Sequence, residues 1–126
     1  MYKRQARSWL RPFWDRLGDL AGDERSAIAL GLVNAMQGIG HEWLPRLEQA
    51  SQAFTRDGAI ALAVGCALAE RQLWGKARRL LEQAADDGTL AIAARRKAWL
   101  ALAQLARQDG DTERAAQCFE SAARLG

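Results

Sequence analysis

The chain has 126 residues, of which 49% are hydrophobic and 26% are charged, as in an ordinary globular protein of one domain. Only two prolines, frequent alanine and few β-branched residues favour helices. The single histidine, and two cysteines that form no CxxC or CxxCH motif, exclude a zinc ribbon and a c-type haem attachment. No apolar run approaches the roughly 18 residues that a membrane-spanning helix needs.

Residues 1–20 are predicted to form one basic amphipathic helix. Its apolar residues recur on one helical face: Trp9, Leu10, Phe13, Trp14 and Leu17. Pro12 is expected to start or kink this helix. The segment holds five basic residues against two acidic ones, whereas residues 21–126 hold 13 of each. Two interpretations stay open: a solvated helix face, or a surface that faces nucleic acid or a membrane. Because no long apolar stretch follows, a signal peptide is not expected.

Residues 21–126 are predicted to form three helix pairs, at about 22–54, 57–87 and 89–125. The letters LEQA at 47–50 return at 81–84, which is 34 positions later, and Gly31 and Gly65 have the same separation. FESA at 119–122 is a third, altered copy that follows after 38 positions. We place the four extra residues at the start of a longer helix, from about Leu90 to Gln108, because four residues add about one α-helical turn.

The last third of the chain resembles the tetratricopeptide repeat (TPR), whose period is 34 residues. Trp99, Leu102 and Ala103 match its W-x₂-L-G element, and Ala115 and Phe119 match its A-x₃-F element. Between them, Gly110 is suited to the left-handed position that ends a helix, and Asp111 or Thr112 to the cap of the next one. The resemblance implies an all-α, right-handed stack of about seven helices.

Packing explains the small and large residues of this pattern. Small residues at Gly31, Gly65 and Ala103 are predicted to let the two helices of a pair approach closely. Trp99 and Phe119 are predicted to fill the space between neighbouring pairs. A single pair cannot bury its own apolar face, so the pairs must stack.

A narrower resemblance lies in QLWGKARRLLEQA, residues 72–84, followed by WLALAQLA and by the spaced residues of GDTERAAQCF. These segments are similar to the C-terminal TPR region of proteobacterial HemY-type proteins, which are encoded with haem-biosynthesis genes. The resemblance implies a parent protein with two membrane helices and a TPR tail on the cytoplasmic side of the bacterial inner membrane. The present chain would be a soluble part of that tail. The resemblance implies an association with the haem-biosynthesis pathway; it does not imply that this region performs a reaction.

The concave face of such a stack predicts the binding surface, because the first helices of the pairs line it. Aligning Gly31, Gly65 and Ala103 gives nine groove positions: Ile28, Leu32, Met36, Leu62, Cys66, Glu70, Leu100, Gln104 and Arg107. The Lys and Asn clamp that holds a C-terminal carboxylate in other TPR domains is missing. The expected ligand is therefore a peptide or an amphipathic helix of a protein partner, and the helix is favoured. Two alternatives stay open: a groove free for a partner, or side chains that are core or covered by residues 1–20, within one molecule or between two in a homodimer.

No catalytic constellation and no metal site are predicted. His41 lies beside Glu42 at a predicted helix start, and the paired carboxylates lie in turns, where aspartate caps helices. The first functional hypothesis is therefore a non-catalytic scaffold or regulatory module for protein–protein interaction, without a cofactor. The alternative is a haem or porphyrin carrier that uses the apolar groove with Cys66 or His41. Binding of nucleic acid is the third and weakest hypothesis, because the excess of basic residues is confined to twenty positions.

Overall fold

In the computed structural model, which describes residues 2–125, these residues form an all-α fold without a strand. The seven α-helices are α1 (Tyr2–Trp14), α2 (Gly22–Asn34), α3 (Leu44–Ala53), α4 (Gly58–Glu70), α5 (Trp74–Asp86), α6 (Ile92–Gln108) and α7 (Thr112–Arg124). Short 3₁₀ helices at Leu17–Asp19 and His41–Trp43 precede α2 and α3. The prediction of an all-α fold is confirmed.

Local sequence signals account for several helix ends. Asp57 caps α4, because its carboxylate accepts hydrogen bonds from the backbone N–H groups of Ala59 and Ile60. Asp111 caps α7 in the same way through the N–H of Arg114. Gly110 has a φ of +76°, so the left-handed position predicted there is confirmed. Helix α6 has 17 residues against 13 in α4, in agreement with the extra turn expected at its start.

The helices from α2 onward pack in two rows: α2, α4 and α6 form one row, and α3, α5 and α7 form the other. Helix α4 contacts both α2 and α6, whereas consecutive helices from α3 to α7 pack on each other. Ion pairs connect the odd-numbered helices: Lys76 of α5 with Glu48 of α3 at 3.0 Å, and Arg114 of α7 with Glu82 of α5 at 3.2 Å. Helix α4 is the centre of the core, since ten of its residues are buried.

The N-terminal region differs from the prediction in two respects. The helix predicted over residues 1–20 ends at Trp14, and Pro12 lies inside it near its end. In addition, the close neighbour of Gly31 is Leu10 of α1, and α2 makes little contact with α3. Gly65, by contrast, faces Leu81 of α5, as expected for two helices of one pair. Helix α1 therefore packs on α2 in the place where the sequence predicted α3.

Candidate functional site

Three of the nine predicted groove residues belong to the hydrophobic core. Leu32 and Leu62 are completely buried, and Met36 is almost completely buried. The reason is that α2 and α4 pack directly against each other, so the apolar side chains between them contact each other instead of solvent. Of the two alternatives left open by the sequence, these three side chains therefore follow the second: they are part of the core and are not accessible to a partner.

Three further groove positions lie at the edge of this core. Ile28 and Cys66 are half-buried, whereas Glu70 is exposed and its Oε1 accepts a hydrogen bond from the backbone N–H of Gly38 at 3.3 Å. Burial raises the pKa of the Cys66 thiol to about 11; Lys97 opposes this shift and Glu70 adds to it. Cys66 is therefore a protonated thiol at neutral pH, and Glu70 connects α4 to the turn after α2.

The last three groove positions, Leu100, Gln104 and Arg107, are exposed on α6. Next to them, Lys97 Nζ donates a hydrogen bond to Asn34 Oδ1 at 2.5 Å, which connects α6 to α2 across α4. This bond joins the first and third helices of the row. The nine predicted residues thus do not form one open strip: the exposed ones are Glu70 on α4 and the three positions on α6.

The two residues considered as haem ligands lie in different elements, Cys66 in α4 and His41 in the 3₁₀ helix before α3. Cys66 and Cys118 are free thiols, and His41 is exposed in the 3₁₀ helix before α3. Among residues 2–125 no group of three or more His, Cys, Asp and Glu side chains could hold a metal ion. A thiolate ligand requires a deprotonated sulfur, and the raised pKa of Cys66 works against it.

Helix α1 carries an exposed aromatic face. Tyr2, Trp9 and Phe13 are 74%, 71% and 53% exposed, and their spacing of seven and four residues places them on one side of the helix. Leu10 and Trp14 lie on the side that packs against the rest of the protein. Large apolar side chains grouped in this way on a surface usually mark an interaction site.

The other exposed side of α1 is basic and borders a cavity of about 460 Å³. Its lining residues come from α1, from the turn after α2, from the 3₁₀ helix before α3 and from the start of α3: Arg4, Arg7, Ser8, Arg11, Gly38, Glu42, Trp43 and Arg46. We call it the arginine cavity. The lining includes four arginines and one glutamate, so the cavity is positively charged.

Arg7 anchors this cavity. It is the one charged side chain among the described residues that is buried. Its guanidinium donates hydrogen bonds to the carbonyl oxygens of Ala35 at 2.7 Å, Gln37 at 2.8 Å and Gly38 at 3.2 Å. These carbonyls follow the C-terminus of α2, where a cation is favoured. Arg7 therefore provides hydrogen-bond donors for the free carbonyl groups at the end of α2, and it fixes α1 on that helix.

The basic residues of α1 were recognisable from the sequence, but the cavity that they line was not. The spacing of Arg4, Ser8 and Arg11 on one helical face was available as a signal. Arg46, however, is distant in the sequence, and only the packing of α1 near α3 brings it to the same place.

Comparisons with protein-family models, with curated proteins and with solved structures find no match for this chain. Within residues 2–125, no helix combines the length and the apolar character needed to span a bilayer. The surface features that bear on function are therefore the two exposed faces of α1 and the exposed residues of α6.

Proposed function

We propose that the protein is a non-catalytic protein–protein interaction module, and that its aromatic face on α1 binds an amphipathic helix of a partner. One observation carries this proposal. Trp9 and Phe13 precede Trp43 and Leu47 by 34 positions, the period of the repeat. Trp43 is 5% exposed and Leu47 is completely buried, whereas their counterparts in α1 are mostly exposed.

The next repeat indicates what covers these positions. A further 34 residues along the chain, the equivalent residues are Ala77 and Leu81 of α5, and both are completely buried. Leu81 lies against Gly65, where a Cβ atom would be only 2.9 Å from Leu81 Cγ. The equivalent face of α5 thus receives a helix with a small residue at the contact. At the same positions helix α1 has the larger side chains Trp9 and Phe13, and within residues 2–125 both stay mostly exposed.

The partner helix is defined by this geometry and by charge. Trp9 and Phe13 are larger than Ala77 and Leu81, so the facing helix needs glycine or alanine at the points of closest approach. The first twenty residues are basic, so acidic side chains at the edges of the partner helix are favoured. Burial of two or three aromatic side chains would supply the central contact of such an interface.

The finer fold and the parent protein are also proposals. The 34-residue period, the Gly65–Leu81 contact and the ion pairs along the odd-numbered helices support a right-handed TPR stack. The segment at 72–84 supports descent from a HemY-type protein. In that case the module scaffolds or regulates proteins of haem biosynthesis at the cytoplasmic side of the bacterial inner membrane.

The test is a selection of displayed 20-residue helices that carry alanine or glycine along one face and varied residues elsewhere. We expect the selected helices to bind the wild-type protein and to lose at least about tenfold in affinity for a Trp9→Ala, Phe13→Ala double variant, since central aromatic residues often contribute 2 kcal/mol or more. Leu100→Ala is the matched control, because Leu100 is an exposed apolar residue on α6.

The outcomes separate the possible occupants. If the selected helices bind the Leu100→Ala protein more weakly and bind the double variant as tightly as the wild type, the binding site is the predicted groove and not α1. Sedimentation that shows a dimer, lost in the double variant, would make a second copy of the chain the occupant. Binding to anionic vesicles that depends on Trp9 and Phe13, with no selected helix, would mean that this face binds a membrane.

A further inference from the structure

We propose that the arginine cavity binds a phosphate-bearing small molecule. The proposal is independent of the partner helix, because Trp9 and Phe13 do not line the cavity. A volume of about 460 Å³ lies within the range of small-molecule sites, which is roughly 300–1,000 Å³. The lining combines four arginines with the hydroxyl of Ser8 and one glutamate, so most of its polar groups are hydrogen-bond donors.

Many of these donors are not used within the protein. Neither Arg4 nor Arg11 takes part in an ion pair or a side-chain hydrogen bond among residues 2–125. Arg46 donates through Nε to Asp15 Oδ1 at 3.0 Å, a bond that leaves its two terminal nitrogens available. Guanidinium groups gathered around one cavity repel each other, and an anion between them removes this repulsion.

The helices that carry these donors, and the Arg46 side chain, are held in place before a ligand arrives. Arg7 fixes α1 to the turn after α2 through its three carbonyl contacts. Trp14 Nε1 donates to the carbonyl oxygen of Arg46 at 3.3 Å, which fixes the start of α3 relative to the end of α1. Asp15 orients the Arg46 side chain. A site assembled in advance loses less entropy on binding, which favours affinity.

The arrangement favours phosphate over a carboxylate. A carboxylate is planar and is matched by one guanidinium fork, whereas a tetrahedral phosphate accepts hydrogen bonds from several directions. Arg4 and Arg11 approach from α1, and Arg46 approaches from α3. The cavity is also larger than a single phosphate group, so it has room for a second phosphate or a small organic group. Glu42 lowers the affinity for any anion by its own charge.

Isothermal titration with pyrophosphate, inorganic phosphate and citrate tests the proposal on the full chain. We expect pyrophosphate to bind more tightly than phosphate, and both more tightly than citrate. Arg11→Gln should weaken pyrophosphate binding by about tenfold, which is about 1.4 kcal/mol, because it removes one charge-assisted contact to the ligand. Glu42→Gln should tighten binding. Arg11 and Glu42 are both exposed, so these variants should retain the wild-type circular dichroism spectrum.

Arg56→Gln is the matched control, because Arg56 is exposed in the turn before α4 and does not line the cavity. An equal loss of affinity in Arg56→Gln and Arg11→Gln would mean that only the overall charge matters, and the site would be refuted. Citrate binding without pyrophosphate binding would replace phosphate by carboxylate as the ligand class. Binding of a 20-nucleotide DNA strand without pyrophosphate binding would overturn the small-molecule site in favour of nucleic acid.

Discussion

Replacing Gly65 and Gly31 with alanine, one at a time, should change stability in opposite directions. The two glycines are 34 positions apart, and each lies inside a helix of the same row. A Cβ atom at Gly65 would lie 2.9 Å from Leu81 Cγ, 3.1 Å from Leu81 Cδ2 and 3.3 Å from Leu80 Cβ. At Gly31 the nearest atoms would be the Cδ2 and Cδ1 atoms of Leu10, at 3.4 and 3.6 Å.

The magnitudes follow from these distances. Alanine inside a helix is favoured over glycine by roughly 0.5–1 kcal/mol. At Gly31 the new methyl group makes ordinary contacts with a flexible side chain, so Gly31→Ala should stabilise the protein by about that amount. At Gly65 the methyl group meets Leu81, which is completely buried and cannot move away. Overpacking costs roughly 1–3 kcal/mol, so Gly65→Ala should be destabilising by about 1 kcal/mol in net terms.

Thermal unfolding followed by circular dichroism measures the difference. For a chain of this size, 1 kcal/mol corresponds to about 4 °C in Tm. We therefore expect Gly31→Ala to melt about 2–4 °C above the wild type and Gly65→Ala about 4 °C below it. In a double-mutant cycle, Leu81→Ala should cost less in the Gly65→Ala background than in the wild type, because it removes the Cγ and Cδ2 atoms that the new methyl group meets. If both alanine variants shift Tm in the same direction, the difference between the two helix contacts is refuted.

Three further predictions test other contacts. Arg7→Met should lower the free energy of unfolding by about 3 kcal/mol in urea, because it removes three charged hydrogen bonds to the end of α2, whereas Arg11→Met should change it by less than about 0.5 kcal/mol. Asp57→Ala should cost about 1–2 kcal/mol by removing the cap of α4 and the ion pair with Arg25 at 2.9 Å, and Asp57→Asn should cost less because it retains the cap; equal losses would mean that the cap is unimportant. The pKa of Cys66 is raised from an unfolded value near 9.0 to about 11, so its contribution to stability is complete below pH 9 and is lost as the pH rises through 11. The decline between pH 9 and 11 should be smaller in Cys66→Ala than in the wild type, and identical profiles would refute the role of this thiol.

The helices and their ends could be predicted because their causes are local. The cap at Asp111, the left-handed Gly110 and the extra turn of α6 depend on residues only a few positions apart. The 34-residue period also identified Gly65 as a close contact, since its partner on α5 belongs to the same repeat. For the candidate sites, the aromatic residues and the basic charge of α1 could be predicted from the sequence. Which of these side chains are accessible could not.

Only the tertiary structure decided which helix covers which face. Periodicity gave Leu62 and Leu100 equivalent groove positions, yet Leu62 on α4 is completely buried whereas Leu100 on α6 is exposed. Trp9 and Trp43 have the same register position, and the former is exposed while the latter is buried. The physical reason is that the periodicity of the sequence fixes only the face of its own helix on which a side chain lies. Its burial and its ligands depend on neighbours that are distant in sequence, such as Arg46 beside Arg11 in the arginine cavity.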